Sequence, residues 1–279
     1  MRRLRRLAER RASRVEERAF VVEGAKVLGE ALAAGRVESV YLDPAAGPAA
    51  RELASRCLAA GAGVYDLEAG VLARVSGTVS PQPVLAVVAD PCVPLSRLAG
   101  RVGNLVVVCA GLRDPGNAGT VVRSAAAAGA DAVVACAGSV DLLNPKTVRA
   151  SAGALFRVPV VNGADPAEAL DTLGSWGLNR LGALAGGGVD YLAADLGRPS
   201  AIVLGNEAAG LGPELASRLD GTVTIPMAAG TESLNVGIAA AVLCFEVARR
   251  RRGAPGAPGS QSISGVGAGT PHLATLPAP

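Results

Sequence analysis

Short apolar runs bounded by turn residues alternate with longer, mixed stretches along most of this sequence. Runs of that length read as strands, and the stretches between them as helices. In the first third, Phe20–Val21–Val22–Glu23–Gly24 predicts a strand and Ala25–Ala34 a helix. Val37–Leu42 is a second strand, Ala49–Ala60 a second helix and Val64–Tyr65–Asp66 a third strand. Val84–Val88 is a fourth, closed by Asp90–Pro91. Alternation of this kind marks a small α/β domain. A second series begins at Leu105–Cys109, apolar at every position, as in a parallel strand buried on both faces. Helices over Asn117–Ala128, Thr147–Ala152 and Pro166–Ser175 separate strands at Ala132–Cys136, Val158–Val161 and Leu181–Leu184. Ala201–Leu204 and Val223–Ile225 are further strands, with a helix at Pro213–Leu219 that opens on its proline. Leu234–Arg250 closes the series as a helix. The predicted fold class is α/β in two domains, the second built on a parallel sheet covered on both faces.

The expected boundaries are a basic arm over 1–18, a first domain over 19–92, a linker over 93–101 and a second domain over 102–252. Residues 253–279 are rich in Gly, Pro, Ser and Ala and nearly free of charge. They lack the large side chains that offset ordering entropy, so a disordered tail, dispensable for chemistry, is expected there. The arm carries Arg5, Arg10, Arg14 and further arginines around a thin apolar stripe of Leu4, Leu7 and Val15. It reads equally as a solvated helix or as a phosphate-contacting one.

Composition narrows the chemistry. Half of the 279 residues are hydrophobic but only 3% are aromatic, so Ala, Val and Leu must fill the core. The net charge of +3 is too mild to indicate nucleic acid by itself. Lys26 and Lys146 are the only lysines, and every other cation is an arginine. Arginine binds phosphate through a planar fork, which is compatible with RNA contact. The five cysteines are odd in number and no two have metal-ligand spacing, so a reducing cytoplasm is the simplest setting. No signal peptide or membrane-length apolar run is visible. The single histidine, His272, lies in the tail. That argues against a Ser–His–Asp or Cys–His hydrolase and against a His-ligated metal.

Three turns then stand out. In Ile225–Pro226–Met227–Ala228–Ala229–Gly230–Thr231–Glu232–Ser233–Leu234–Asn235–Val236–Gly237, Pro226 must end a strand, because it cannot donate to a ladder. Thr231 or Ser233 is expected to cap the following helix, whose N-terminus offers free N–H groups. Gly205–Asn206–Glu207 follows another strand and presents an amide and a carboxylate at the sheet's C-terminal edge, where sites of α/β folds gather. Glu207 there either organises a site or pairs with an arginine. Asn117 and Arg123 share the first turns of a helix after Leu105–Cys109. Arg123 has apolar or small neighbours on both sides, so it is either a surface ion pair or a functional cation.

Together Asp114–Arg123, Ile202–Leu211 and Ile225–Gly237 resemble, in order and spacing, the signature motifs of the SpoU (TrmH) family of the SPOUT superfamily. These are RNA ribose 2′-O-methyltransferases that use S-adenosylmethionine. The resemblance covers roughly Leu105 to Arg250. It implies a parallel-sheet catalytic domain with a C-terminal trefoil knot and a homodimer whose interface completes the site. The region before it resembles the family's substrate-binding domain, whose fold is like a small RNA-binding ribosomal protein. Ala208–Ala209 departs from the pair usual after the glutamate.

By this resemblance the catalytic residues are Arg123, Asn117, Glu207, Asn235 and Ser233. Arg123 matches the arginine thought to help activate the ribose hydroxyl. A guanidinium is effectively always protonated, so it can orient that hydroxyl more readily than it can deprotonate it. Leu184, Ala185, Gly186, Gly205, Asn206, Glu207, Ile225, Met227, Ser233 and Leu234 match positions that cradle the cofactor. The glycines of Ala183–Gly188 form no dinucleotide or P-loop fingerprint. Arg5, Arg10, Arg14, Lys146 and Arg149 are the candidate RNA contacts. The implied partners are RNA, ribosomal rather than transfer, and a second copy, with no metal and no membrane. Some family members protect ribosomes from antibiotics, and the resemblance leaves that role open. The alternatives are a transfer RNA enzyme and a non-catalytic RNA-binding protein.

Overall fold

The structure, a computed structural model, describes residues 1–76 and 81–252. The tail, with His272, and Gly77–Thr78 lie outside the described residues. The first sheet holds β1 (Ala19–Glu23), β2 (Val37–Leu42), β3 (Gly63–Asp66) and β4 (Val84–Ala89) in the order β1-β4-β2-β3. Strand β4 runs antiparallel to β1 and β2, and β2 parallel to β3. Alternate residues of a strand face opposite sides. Phe20 and Val22 therefore turn to the face covered by α3 (Ala25–Ala33) and α4 (Pro48–Ala59). Val21, Leu85 and Val87 turn to the other face, under α1 (Arg2–Glu9) and α5 (Ala73–Ser76).

The basic arm differs from the expected single helix. It breaks at Arg10, which is extended, and resumes as α2 (Arg11–Glu17). It is also anchored: Leu4 and Leu7 are fully buried on the sheet, whereas Val15 is exposed. Two leucines one turn apart make a stripe wide enough to dock a helix this short.

The second sheet contains seven strands in the order β7-β6-β5-β10-β8-β11-β9. They are β5 (Leu105–Cys109), β6 (Ala132–Cys136), β7 (Val160–Ala164), β8 (Asn179–Leu184), β9 (Val189–Asp190), β10 (Ser200–Leu204) and β11 (Gly221–Thr224). Every pairing is parallel. Val107 and Ile202 face one side, with α6 (Pro115–Ala127), α7 (Pro145–Ser151) and α10 (Val236–Arg252). Val106, Val108 and Val203 face the other, with α8 (Pro166–Ser175) and, at its rim, α9 (Pro213–Ala216). Strand β7 starts after Pro159 rather than at Val158, because proline has no N–H for the ladder. The helix expected to reach Leu219 stops at Ala216, and Leu219 packs on the apolar layer instead. The two-residue edge strand β9 has no apolar run to announce it. Residues 93–101 include a 3-10 turn at Leu95–Leu98 whose Leu98 is buried.

The two sheets are joined by a packed seam. One apolar layer runs from Phe20 and Val22 to Leu142, Val148 and Leu155. Phe20 stacks on Phe156 with ring centroids 6.1 Å apart. Three ion pairs cross the seam: Arg14–Asp141 at 2.7 Å, Glu23–Arg149 at 3.1 Å, and Glu30–Arg157. Arg14 is only 3% exposed and also donates to the carbonyls of Leu7 and Ala8. It is therefore no RNA ligand: its fork is consumed inside the protein.

Candidate active site

The ends of β5, β8, β10 and β11 meet at the C-terminal edge of the second sheet, the edge at which such folds bind ligands. A cavity of about 630 Å³ opens there. That volume suits a small organic ligand. Its floor is the apolar group Leu184, Ile225, Met227 and Leu234, with Ala239 and Leu243 of α10 behind. Its polar rim carries Asn117, Glu207, Ser233 and Asn235.

The turn after β10 is shaped by its glycine. A Cβ on Gly205 would lie 2.5 Å from the carbonyl carbon of Gly210, so any side chain would force the turn open. Asn206 locks the same turn. Its Oδ1 accepts from the N–H groups of Ala208 and Ala209, at 3.0 and 2.9 Å, and its Nδ2 donates to Gly111 O at 2.9 Å. A residue the motif reading did not single out, Thr224, ties the neighbouring turn. Its hydroxyl donates to Leu184 O at 3.0 Å and accepts from Gly188 N at 3.1 Å. A β-hydroxyl at the end of a strand beside a glycine-rich loop is the signal that could have marked it.

Glu207 gathers three donors. Asn117 Nδ2 donates at 3.1 Å, and the N–H groups of Arg113 and Asp114 each at 3.3 Å. No arginine pairs with it among the described residues, so it is not a surface ion pair. Burial pushes its carboxyl up, but hydrogen bonds from its own backbone, Asn117, Asp114 and Arg113 outweigh that and hold it below the usual range. At neutral pH it is a carboxylate, an acceptor that positions rather than an acid that donates.

The network continues from Asn117, whose Oδ1 accepts from Asn235 Nδ2 at 2.8 Å. Asn235 Oδ1 in turn accepts from Gly237 N at 2.9 Å and Ile238 N at 3.3 Å. Asn235, not Thr231 or Ser233, therefore caps α10, which begins at Val236. The order is physical: a cap accepts from the second and third helical residues, and only Asn235 immediately precedes the helix. Ser233 lines the cavity instead. Helix α6 has the equivalent device in Asp114, whose Oδ1 accepts from Asn117 N at 2.7 Å. Glu207, Asn117 and Asn235 thus link three separate chain segments in one hydrogen-bonded line.

Other predicted residues fall elsewhere. Ala185, Gly205 and Asn206 line the cavity, whereas Gly186 is exposed outside its lining. Arg123 is exposed on α6, with no ion pair or hydrogen-bonded partner among the described residues. Six residues of α-helix separate it from Asn117, an axial rise of about 9 Å. Arg5, Arg10 and Lys146 are exposed, and Arg149 is held by Glu23. None of the cysteines offers a ready nucleophile: burial pushes the thiols of Cys136 and Cys244 up to about 12, and Cys92 and Cys109 further. Among the described residues no three His, Cys, Asp or Glu cluster as metal ligands, and no helix is long and apolar enough to cross a membrane.

The chain is similar to known RNA methyltransferases. Residues 104–245 match the SpoU rRNA Methylase family, and residues 1–86 match the MRM3-like substrate binding domain. The Bacillus subtilis 23S rRNA (guanosine(2553)-2′-O)-methyltransferase RlmP is 32% identical over 84% of this chain and 90% of its own length. An uncharacterized tRNA/rRNA methyltransferase of Mycolicibacterium paratuberculosis is 33% identical over 88% of this chain and 81% of its own. Among solved structures, the SpoU methyltransferase AviRb of Streptomyces viridochromogenes in complex with AdoMet superposes with a TM-score of 0.80. It is 29% identical, over 91% of this chain and 98% of that one. With its motifs, its parallel sheet and these matches in agreement, the chain belongs to the SpoU family of RNA methyltransferases.

Proposed function

We propose that this protein transfers a methyl group from S-adenosylmethionine to a ribose 2′-hydroxyl of RNA, and that the RNA is ribosomal. The observation that carries the reading is the Glu207–Asn117–Asn235 line on the rim of a cavity built from three turns. The residues fit the cofactor: the apolar floor of Leu184, Ile225 and Leu234 would hold its apolar parts, and the glycine-tight turn at Gly205 would let backbone groups approach it. Bound there, S-adenosylmethionine supplies an electrophilic methyl on a sulfonium. The protein's part is alignment and handling of one proton. Asn117 and Asn235 hold the rim in register, with Glu207 as their anchor. Arg123 is the proposed cation that orients the ribose hydroxyl and stabilises its developing charge.

A homodimer belongs to this reading. Helix α10 turns Leu243 into the core, but leaves Ile238 and Phe245, one heptad apart on the same face, 51% and 46% exposed. A second copy covering that face would meet the helix whose other side lines the cavity. We also assign the segment from β8 through α10 to the trefoil knot of the family, in a cytoplasmic protein whose cysteines are all free thiols.

The test is transfer of a labelled methyl to ribosomal and transfer RNA, with digestion to locate the modified ribose. Label on a 2′-oxygen of ribosomal RNA is the expected result. Cofactor binding by calorimetry with no transfer to any RNA would instead leave a binding protein.

A further inference from the structure

The groove on the outer face of the first sheet carries positive charge that the protein does not use. About 490 Å³ in volume, it runs between α1 and the segment leading into α5, on the side away from α3 and α4. Arg2, Arg5, Arg6, Arg10 and Arg74 line it, with Glu9 the single acid. The neighbouring carboxylates are occupied. Glu17 takes Arg3 at 2.6 Å and Arg6 at 3.1 Å, and Glu38 takes Arg3 at 2.9 Å. Arg2, Arg5, Arg10 and Arg74 are exposed and have no ion-pair partner among the described residues.

The same face carries an aromatic pair. Tyr41 packs against the apolar layer formed by Leu4, Leu7, Leu85 and Val87 beneath α1. Tyr65, one strand further out, stacks on Tyr41 with centroids 5.4 Å apart and planes at 21°. Tyr65 is 53% exposed, so its ring keeps a face open to solvent beyond the stack. In a chain with only three tyrosines, two are spent on one exposed platform. The ring also leans over Gly63, where a Cβ would lie 2.9 Å from Tyr65 Cε2, so it rests against Tyr41 and its own strand while leaving surface to solvent.

We propose that this face docks an unpaired stretch of RNA, with phosphates in the arginine groove and a base stacked on Tyr65. It rests on the RNA methyltransferase reading and adds to it the class of RNA recognised: single-stranded or looped, not continuous duplex. The chemistry is selective in that direction. Arginine neutralises the backbone of either form, but a base is free to stack on a ring only where it is unpaired. The platform and groove lie on the first domain, away from the cavity, so they select and hold RNA rather than react with it.

The experiment uses the full chain with an unstructured RNA oligonucleotide carrying one 2-aminopurine, and a duplex of equal length. The expected result is tighter binding of the unpaired RNA, with fluorescence quenching on stacking. Tyr65→Ala should abolish the quenching and weaken unpaired RNA about tenfold, with duplex affinity unchanged, while Tyr65→Phe retains both. Replacing Arg2, Arg5, Arg10 and Arg74 by Gln should weaken both RNAs and flatten the salt dependence, for the unpaired RNA by about 0.7 in log–log slope for each phosphate no longer neutralised. Equal affinity for duplex and unpaired RNA, or full quenching in Tyr65→Ala, overturns the proposal. Absence of methyl transfer to any RNA, with this binding intact, would sink the enzyme reading but not this surface.

Discussion

The seam between the two sheets and the groove on the far side of the first sheet are both rich in arginine, yet they do opposite things. In the seam, Arg14, Arg149 and Arg157 each hold a carboxylate of the facing domain. In the groove, Arg2, Arg5, Arg10 and Arg74 hold none among the described residues. Arg5 and Arg14 are nine positions apart in one basic segment. The break at Arg10 turns the second short helix so that Arg14 points into the protein. What separates a structural arginine from an available one is therefore the partner it reaches, not the charge run it belongs to.

The comparison breaks most readily at Asp141. Asp141→Ala leaves the Arg14 guanidinium, 3% exposed, with only the carbonyls of Leu7 and Ala8 as acceptors. Leaving such a charge uncompensated costs about 3–5 kcal/mol. Asn162, whose Nδ2 donates to Asp141 at 2.7 Å, loses its partner as well. Urea unfolding should show that loss, and the double change Arg14→Met with Asp141→Leu should recover most of it. A loss below about 1 kcal/mol would mean that the seam is wet and the pair ordinary.

Arg123 belongs with the available arginines, so its removal should spare the fold. Arg123→Ala is expected to reduce methyl transfer about a hundred- to a thousandfold, the cost of losing one donor aimed at developing negative charge. Cofactor binding by calorimetry and the unfolding midpoint should stay unchanged. Arg123→Lys keeps the charge but loses the planar fork and should recover little. Near-normal transfer by Arg123→Ala removes the cation from the mechanism. Loss of cofactor binding with transfer would make Arg123 a structural residue instead.

Sequence pattern made the strands legible because a buried parallel strand is apolar throughout. Leu105–Cys109 and Ala132–Cys136 have the bounds their composition dictates. Cap assignment failed at α10, since Thr231, Ser233 and Asn235 are all good caps and only the first helical turn decides among them. The motifs brought Asn117, Glu207 and Asn235 to attention, but not that they are hydrogen-bonded in line, which requires three distant turns to converge. The fate of Arg14 was illegible for the same reason: its partner is 127 positions away. Thr224 is only weakly legible: its β-hydroxyl marks the end of a strand, but the groups it ties, Leu184 O and Gly188 N, are backbone and leave no side-chain pattern.

A carboxylate that holds two arginines tests the structural class by pH. Glu246 on α10 is 7% exposed and pairs with Arg249 at 2.8 Å and Arg250 at 2.7 Å. Hydrogen bonding from Arg249 holds its carboxyl down to about 2, against burial, with Arg250 helping. A carboxyl depressed in the folded state stabilises fully above its unfolded value, near 4.5, and loses that as pH falls toward about 2. Because Arg249 is largely exposed, the contribution is discounted to about 2 kcal/mol. Wild type should exceed Glu246→Gln by that amount at neutral pH, with the gap closing between pH 4.5 and about 2. A gap independent of pH would mean packing, not charge, is lost.

The smallest effect is expected at Arg149, the residue on which the two classes come closest. Its side chain is 37% exposed, and its partner Glu23, 9% exposed, also accepts from the N–H of Gln82 at 2.8 Å. A pair so placed is screened by solvent, and Glu23 keeps that amide bond when the guanidinium goes. Arg149→Ala should therefore cost under about 1 kcal/mol. In a chain of this size that lowers the midpoint of thermal unfolding by no more than about 2–4 °C. If Arg149 is a seam residue, RNA affinity and its salt dependence should not change. Lys146, exposed one helical turn away on α7, offers the control. Lys146→Gln should leave the midpoint alone and reduce the salt slope, as expected when one phosphate is no longer neutralised. A reduced salt slope in Arg149→Ala would show that a held arginine can still be taken by RNA. It would then be the ion pair's exposure, rather than its existence, that divides structural arginines from available ones.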